Sequence, residues 1–233
     1  MIVLKKKQIL ALILSLALFL ALVFGVPAAA MALSPRPKFV VVVDAGHGGV
    51  DGGAVGVRTG VCERELNLQV AFKLKNLPEK AGVGVIMTRT TRAGLYDGLP
   101  KPGFKTEDMK KRLEIIKNSG ATLAVSIHMN TYSSPNRRGA QVFFTQGFEA
   151  SKELAGSIQN NLNRALNEKH LKRGFTALKG DYYLLNYSSI PTVIVECGFL
   201  SSPLDEQLLI SESYQDELAY QICSGILSYL YTN

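Results

Sequence analysis

Apolar positions along the chain follow two rhythms. Short unbroken apolar runs lead into polar groups at residues 38–44 (KFVVVVD), 83–89, 123–128 (LAVSIH), 139–145 and 192–196 (TVIVE). Such runs predict strands covered on both faces. Between them, apolar residues recur every third or fourth position. Leu66, Val70 and Leu74 predict a helix from Glu63 to about Lys75. Met109, Leu113 and Ile116 predict one that opens at Thr106 and closes at Gly120. Leu218, Ile222, Ile226 and Leu230 predict a C-terminal helix. The polar-rich stretch from Glu149 to about Glu168 is read as a further helix, and residues 93–105 (AGLYDGLPKPGFK), rich in turn formers, as a loop. Strands alternating with helices predict a single α/β domain, its mostly parallel or mixed central sheet flanked by helices.

The N-terminus breaks this pattern. Lys5, Lys6 and Lys7 precede an uncharged apolar run from Gln8 to Val26, and Ala30-Met31-Ala32 has the form of a cleavage site. Residues 1–32 are therefore expected to be a signal peptide or a membrane anchor, since the run approaches the ~20 residues that span a bilayer. Residues 33–37 (LSPRP) read as a short stiff linker, and residues 38–233 as one folded domain, the part that carries any chemistry. The expected location is outside the cytoplasmic membrane, secreted or anchored, with membrane contact only through the N-terminal segment. About 200 residues suffice for one domain with a real core.

Charge and cysteine content narrow the partners. Without the three leader lysines, the 26 basic residues fall to 23 against 19 acidic ones, a net of +4. That suits anionic surroundings such as a cell wall. No basic run is interleaved with aromatics, which argues against nucleic acid. Cys62, Cys197 and Cys223 are odd in number, offer no disulfide framework and read as small buried hydrophobes.

Residues 41–56 (VVVDAGHGGVDGGAVG) bring His47 out of an apolar strand into a turn with six glycines. A dinucleotide fingerprint would need Gly-x-Gly-x-x-Gly. Gly46 and Gly48 fit, but Asp51 takes the third position and would repel a pyrophosphate, and the Lys-Ser/Thr pair of a P-loop is missing. The other reading is a metal: a histidine at a strand end presents a ring nitrogen in a fixed direction, and glycines let a substrate come close. His128 and Glu196 also end apolar strands, and α/β sheets carry their sites at strand carboxyl ends. Glu63, in the first helical turn after the glycine loop, can reach the same edge. Two histidines and a carboxylate with an open position form a recurrent catalytic zinc set. A further carboxylate then moves protons, and Glu196 is free for that.

Structural readings stand beside these. A strand-end histidine is more often structural than a ligand. Glu63 could serve the helix dipole. Glu65 competes with it, but faces another side of the helix. Glu196 could be a buried ion-pair partner of Arg89 or Arg112. His170, in the charged stretch NEKHLKR, reads as solvated.

Four segments, VVVDAGHGGVDGGAVG, CERELNL, SIHMN and VIVECGFLSS, occur in that order within residues 38–231. Together they resemble the zinc-dependent N-acetylmuramoyl-L-alanine amidases of the Amidase_3 type. The resemblance implies His47, Glu63 and His128 as Zn²⁺ ligands and Glu196 as the catalytic carboxylate. It implies hydrolysis of the amide between N-acetylmuramic acid and L-alanine by a zinc-activated water, with peptidoglycan glycan strands and their stem peptides as substrate. Ala45, Arg64 and Ser202 stand where proline, lysine and asparagine are usual, and none of these departures removes a presumed ligand. KTEDMKKRLEIIKNSGATLAVSIHMN and RRGAQVFF further resemble the sporulation members of the family, which implies a role in forming muramic-δ-lactam in spore cortex. Some family members need an activating partner protein to hold zinc, so the resemblance also implies such a partner as a candidate. Two rivals from other classes remain: a thiol hydrolase using Cys197 with His128, and a non-catalytic wall-binding protein on the same fold.

Overall fold

The computed structural model describes residues 5–21, 37–99 and 101–232. These fall into two units, residues 1–37 and 38–233. In the first, Lys6–Leu20 form helix α1, which buries none of its residues. Among the described residues no helix is long and apolar enough to cross a membrane. The expected cleavage site Ala30-Met31-Ala32 and all of the expected linker except Pro37 lie outside the described residues.

The second unit carries six strands: β1 (Val40–Ala45), β2 (Gly84–Met87), β3 (Leu123–Asn130), β4 (Gln141–Phe144), β5 (Leu178–Lys179) and β6 (Thr192–Phe199). Its helices are α2 (Glu63–Lys80), α3 (Phe104–Asn118), α4 (Glu149–Leu162), α5 (Glu168–Leu171), α6 (Tyr183–Tyr187), α7 (Pro203–Leu209) and α8 (Glu212–Thr232). The sheet order is β2-β1-β3-β6-β4-β5. β2, β1, β3 and β6 run parallel, whereas β4 lies antiparallel to β6 and parallel to β5. The sheet is therefore mixed, as the alternation of elements led one to expect.

Both faces are covered, which is why the central strands are apolar without alternation. On one face Val41, Val43, Val125, Ile127, Val193 and Val195 pack with the apolar stripes of α2, α4 and α8. On the other, Val42 and Ala124 meet Leu113 and Ile116 of α3 and Leu184 of α6. Val41, Val42 and Val43 are all fully buried, and each such side chain contributes roughly 1.5–3 kcal/mol.

Several boundaries differ from the sequence pattern. α2 continues past Lys75 to Lys80 and accommodates Pro78 in its last turn. The expected helix from Glu149 to Glu168 widens into a π-turn at Asn163–Asn167. There the side chain of Asn167 bonds both the N–H and the carbonyl of Ala140, and Asn163 accepts from the N–H of Phe175. Those inward amides explain the disturbance of the helical hydrogen bonds. β3 and β6 run past His128 and Glu196, so the two residues sit just inside the strand ends.

Candidate metal centre

The carboxyl ends of β1, β3 and β6 and the first turn of α2 meet at one edge of the sheet. His47 lies two residues beyond β1, His128 lies on β3, Glu196 on β6, and Glu63 is the first residue of α2. His128 and Glu196 are register partners on adjacent parallel strands. His47 Nε2 lies 3.2 Å and His128 Nδ1 2.8 Å from the same Glu63 oxygen, Oε1. One donor atom from each of the three residues falls within 4.8 Å of the others. Zinc bonds of ~2.0–2.2 Å in a tetrahedron put ligand atoms ~3.3 Å apart. The two-imidazole, one-carboxylate set at these spacings fits a zinc ion with little rearrangement.

Glu63 is held from all sides. Its Oε2 accepts the N–H of Ala54 at 2.7 Å, and its Oε1 accepts the N–H of Met129 and the Asn67 amide, both at 3.1 Å. Burial raises its pKa, but hydrogen bonds from His128 and His47 outweigh that and hold the carboxyl below the usual range. His47 adopts a left-handed backbone, φ 60°, a conformation that costs a non-glycine residue about 1–2 kcal/mol. Its Nδ1 lies 2.9 Å from Asp51 Oδ2, so that Nε2 is the ring nitrogen turned to Glu63. Burial lowers the pKa of His47, and the carboxylates of Asp51 and Glu63 more than reverse this, to about 9.

Two of the glycines leave room for these side chains. A Cβ at Gly46 would meet the His128 ring at 2.2 Å, and one at Gly53 the Glu63 carboxylate at 2.4 Å. Asp51, noted in the sequence only as an obstacle to phosphate, is the hydrogen-bond partner that orients His47. The signal for it was present in the His-x-x-x-Asp spacing, but a turn of unknown geometry gives such spacing no meaning.

Glu196 is 7% exposed, and its Oε2 has no hydrogen-bond partner. Burial pushes the carboxyl up to about 7, with His128 opposing and Glu63 assisting. It pairs with neither expected arginine: Arg89 donates only to main-chain carbonyls, and Arg112 to Asp44, Asp108 and carbonyls. Glu65 pairs with Arg64 and Arg92, away from the histidines. Cys197 is fully buried in the main core, and burial raises its thiol pKa far above neutrality. A thiolate nucleophile there has no physical support. Cys223 is also buried, whereas Cys62, just before Glu63, is only half-buried. His170, expected to be solvated, is half-buried with its ring edge-on to Tyr214 at 5.7 Å.

A cavity of about 600 Å³ opens over the site and is lined by His47, Glu63, His128 and Glu196, with Met109 and Tyr182 on its walls. That volume lies within the range of small-molecule sites. Fold and site thus define a class: a mixed-sheet α/β domain with a candidate metal centre beside an unpaired carboxyl. Residues 41–228 match the N-acetylmuramoyl-L-alanine amidase family. The chain is 36% identical over 198 residues to the germination-specific N-acetylmuramoyl-L-alanine amidase of Bacillus subtilis (strain 168), covering 84% of this chain and 81% of the relative. Among solved structures, the CwlD amidase from Clostridioides difficile in complex with the GerS lipoprotein is similar, at TM-score 0.78 and 38% identity, covering 84% of this chain and all (100%) of that one. An N-acetylmuramoyl-L-alanine amidase from Clostridium difficile 630 follows at TM-score 0.71 and 33% identity, with 83% and 97% covered. The chain belongs to the Amidase_3 family of N-acetylmuramoyl-L-alanine amidases and is a peptidoglycan amidase.

Proposed function

We propose that His47, Glu63 and His128 hold a Zn²⁺ ion through Nε2, Oε1 and Nδ1, and that Glu196 moves the proton in cleavage of the amide between N-acetylmuramic acid and L-alanine. The observation that carries this reading is the convergence of three donor atoms within 4.8 Å, on a cavity shared with a carboxyl that has a bare oxygen. When bound, zinc supplies a water of pKa ~7 and polarises the scissile carbonyl. The Glu196 carboxylate takes a proton from the attacking water and delivers it to the amine of L-alanine as the amide breaks. Its place on β6 puts the residue in the lining of the cavity. Asp51 holds the His47 tautomer with Nε2 free to ligate.

Residues 1–32 are assigned as the leader that exports residues 38–233 to the wall or cortex side of the membrane. Similarity to a germination-specific amidase supports a role in spore cortex, in forming muramic-δ-lactam. The related CwlD was solved in complex with the GerS lipoprotein, which supports a partner protein for this chain, in the proposed role of activator.

Elemental analysis of the purified protein tests the centre. About one zinc per chain is expected, most of it lost in His128→Ala. Absence of zinc at saturating metal, with any partner present, would overturn the reading. Full retention in His128→Ala would remove that ligand alone.

A further inference from the structure

Beneath the site, two buried guanidinium groups hold three successive main-chain carbonyls. Arg89 donates from Nε to Ala45 at 2.8 Å and from Nη2 to Gly46 at 2.9 Å. Arg112 donates from Nη1 to Ala45 at 2.7 Å and from Nη2 to His47 at 2.6 Å. Arg89 also reaches a second segment: its Nη2 donates to the carbonyl of Arg64 at 2.8 Å. One nitrogen thus ties the residue before His47 to the residue after Glu63. Arg89 itself follows β2 and belongs to neither segment.

The charges make this arrangement unusual. Arg112 is neutralised by Asp44 and Asp108. Arg89, 4% exposed, forms no ion pair among the described residues, and all its hydrogen bonds end on carbonyls. Burial and the neighbouring Arg112 charge lower its pKa to about 10, which leaves it protonated at neutral pH. A buried cation without a carboxylate is a poor way to gain stability. What a rigid fork of donors does well is fix several acceptors at once. The acceptors here belong to the backbones that carry two of the three converging side chains, one of them in a left-handed conformation that costs energy to hold.

We infer that Arg89 is a positioning residue: it sets the separation of His47 from Glu63, and through it the metal affinity of the site. This rests on the zinc reading above. Lysine at position 89 keeps the charge, but a single compact ammonium, without the spread fork of the guanidinium, cannot serve Ala45, Gly46 and Arg64 together. Outer-shell partners of metal ligands typically contribute 10–100-fold in affinity.

The test uses the full chain. Zinc affinity is measured by chelator competition well below the melting temperature, and ligand geometry by the visible absorption spectrum of the cobalt(II)-loaded protein. Arg89→Lys should bind zinc roughly 10–100-fold more weakly and show an altered cobalt spectrum. Ile158→Ala, in the core on α4, should lower the melting temperature but leave affinity and spectrum as in wild type. Should Arg89→Lys not fold, Arg89→Gln, which keeps a donor for one carbonyl, takes its place with the same expectation. Wild-type affinity and spectrum in the Arg89 variant would overturn the inference, as would an equal loss of affinity in Ile158→Ala. Absence of zinc from the wild-type protein would instead overturn the zinc reading on which it stands.

Discussion

His128 and Glu196 stand side by side as register partners on β3 and β6, yet only one is engaged: His128 Nδ1 lies 2.8 Å from Glu63, and Glu196 Oε2 has no partner. Two ionisable groups of one edge are thereby given different tasks. Glu196→Gln keeps the size of the side chain and removes the base. Release of stem peptide from purified peptidoglycan, read by mass spectrometry, should fall by roughly 10²–10⁴-fold with zinc content unchanged. Near-normal release would sink the proton-transfer role. Loss of zinc would make Glu196 a ligand and reopen the part played by Glu63.

Gly46 lies against the His128 ring. A Cβ built there lies 2.2 Å from two of its ring atoms, at Cε1 and Nε2. Gly46→Ala must displace the imidazole, because the backbone behind Gly46 is clasped by Arg89. Zinc affinity should drop by at least the ~10-fold typical of disturbed metal surroundings. Gly156→Ala, at a glycine of helix α4 with open space around it, serves as the comparison. Equal affinity in the two variants would show that His128 does not need that space.

The sheet and its main helices were legible because burial on both faces leaves unbroken apolar runs, and one-sided burial leaves a stripe every third or fourth residue. α6 and α7 were not, since helices of five and seven residues are too short for periodicity to mark. The π-turn was hidden because Asn163 and Asn167 look like surface amides until their partners, Ala140 and Phe175, are brought near by the fold. His47, His128 and Glu196 were visible as polar groups at the ends of apolar runs, and Glu63 as the first helical residue after the glycine loop. Their supports were not: Arg89 and Arg112 act through main-chain carbonyls, which every residue possesses and no sequence pattern distinguishes. The left-handed His47 was equally hidden, as glycine, not histidine, signals that conformation.

Asp44 sits at the base of the same network, fully buried. Burial raises its pKa, but Arg112, Ser126 and Thr88 outweigh that and bring it down to about 2. A carboxyl depressed on folding contributes stability that is complete above its unfolded pKa, ~4, and is lost as pH falls through the folded value. The stability gap between the wild-type protein and Asp44→Asn, both metal-free, should therefore narrow by about 2 kcal/mol between pH 5 and pH 2. Urea unfolding at a series of pH values measures it. A gap that stays constant would show that the Asp44 carboxylate is not preferentially stabilised in the fold.

Asp51 bridges two side chains: its Oδ2 lies 2.9 Å from His47 Nδ1 and its Oδ1 3.0 Å from Lys105 Nζ. The contact with His47 matters to the metal, because a carboxylate that accepts the Nδ1 proton leaves Nε2 as a lone pair directed at Glu63. The contact with Lys105 lies outside it, on a side chain 65% exposed, and contributes little in water. The two partners can be separated by substitution. Asp51→Ala should weaken zinc binding by about 10–100-fold, since the His47 ring loses both its orientation and its tautomer preference. Lys105→Met should leave zinc affinity close to wild type. Chelator competition on the two purified variants gives the answer. Similar losses in both would place the effect in the electrostatics of the loop, and no loss in Asp51→Ala would mean that the strained backbone at His47 suffices to aim its ring.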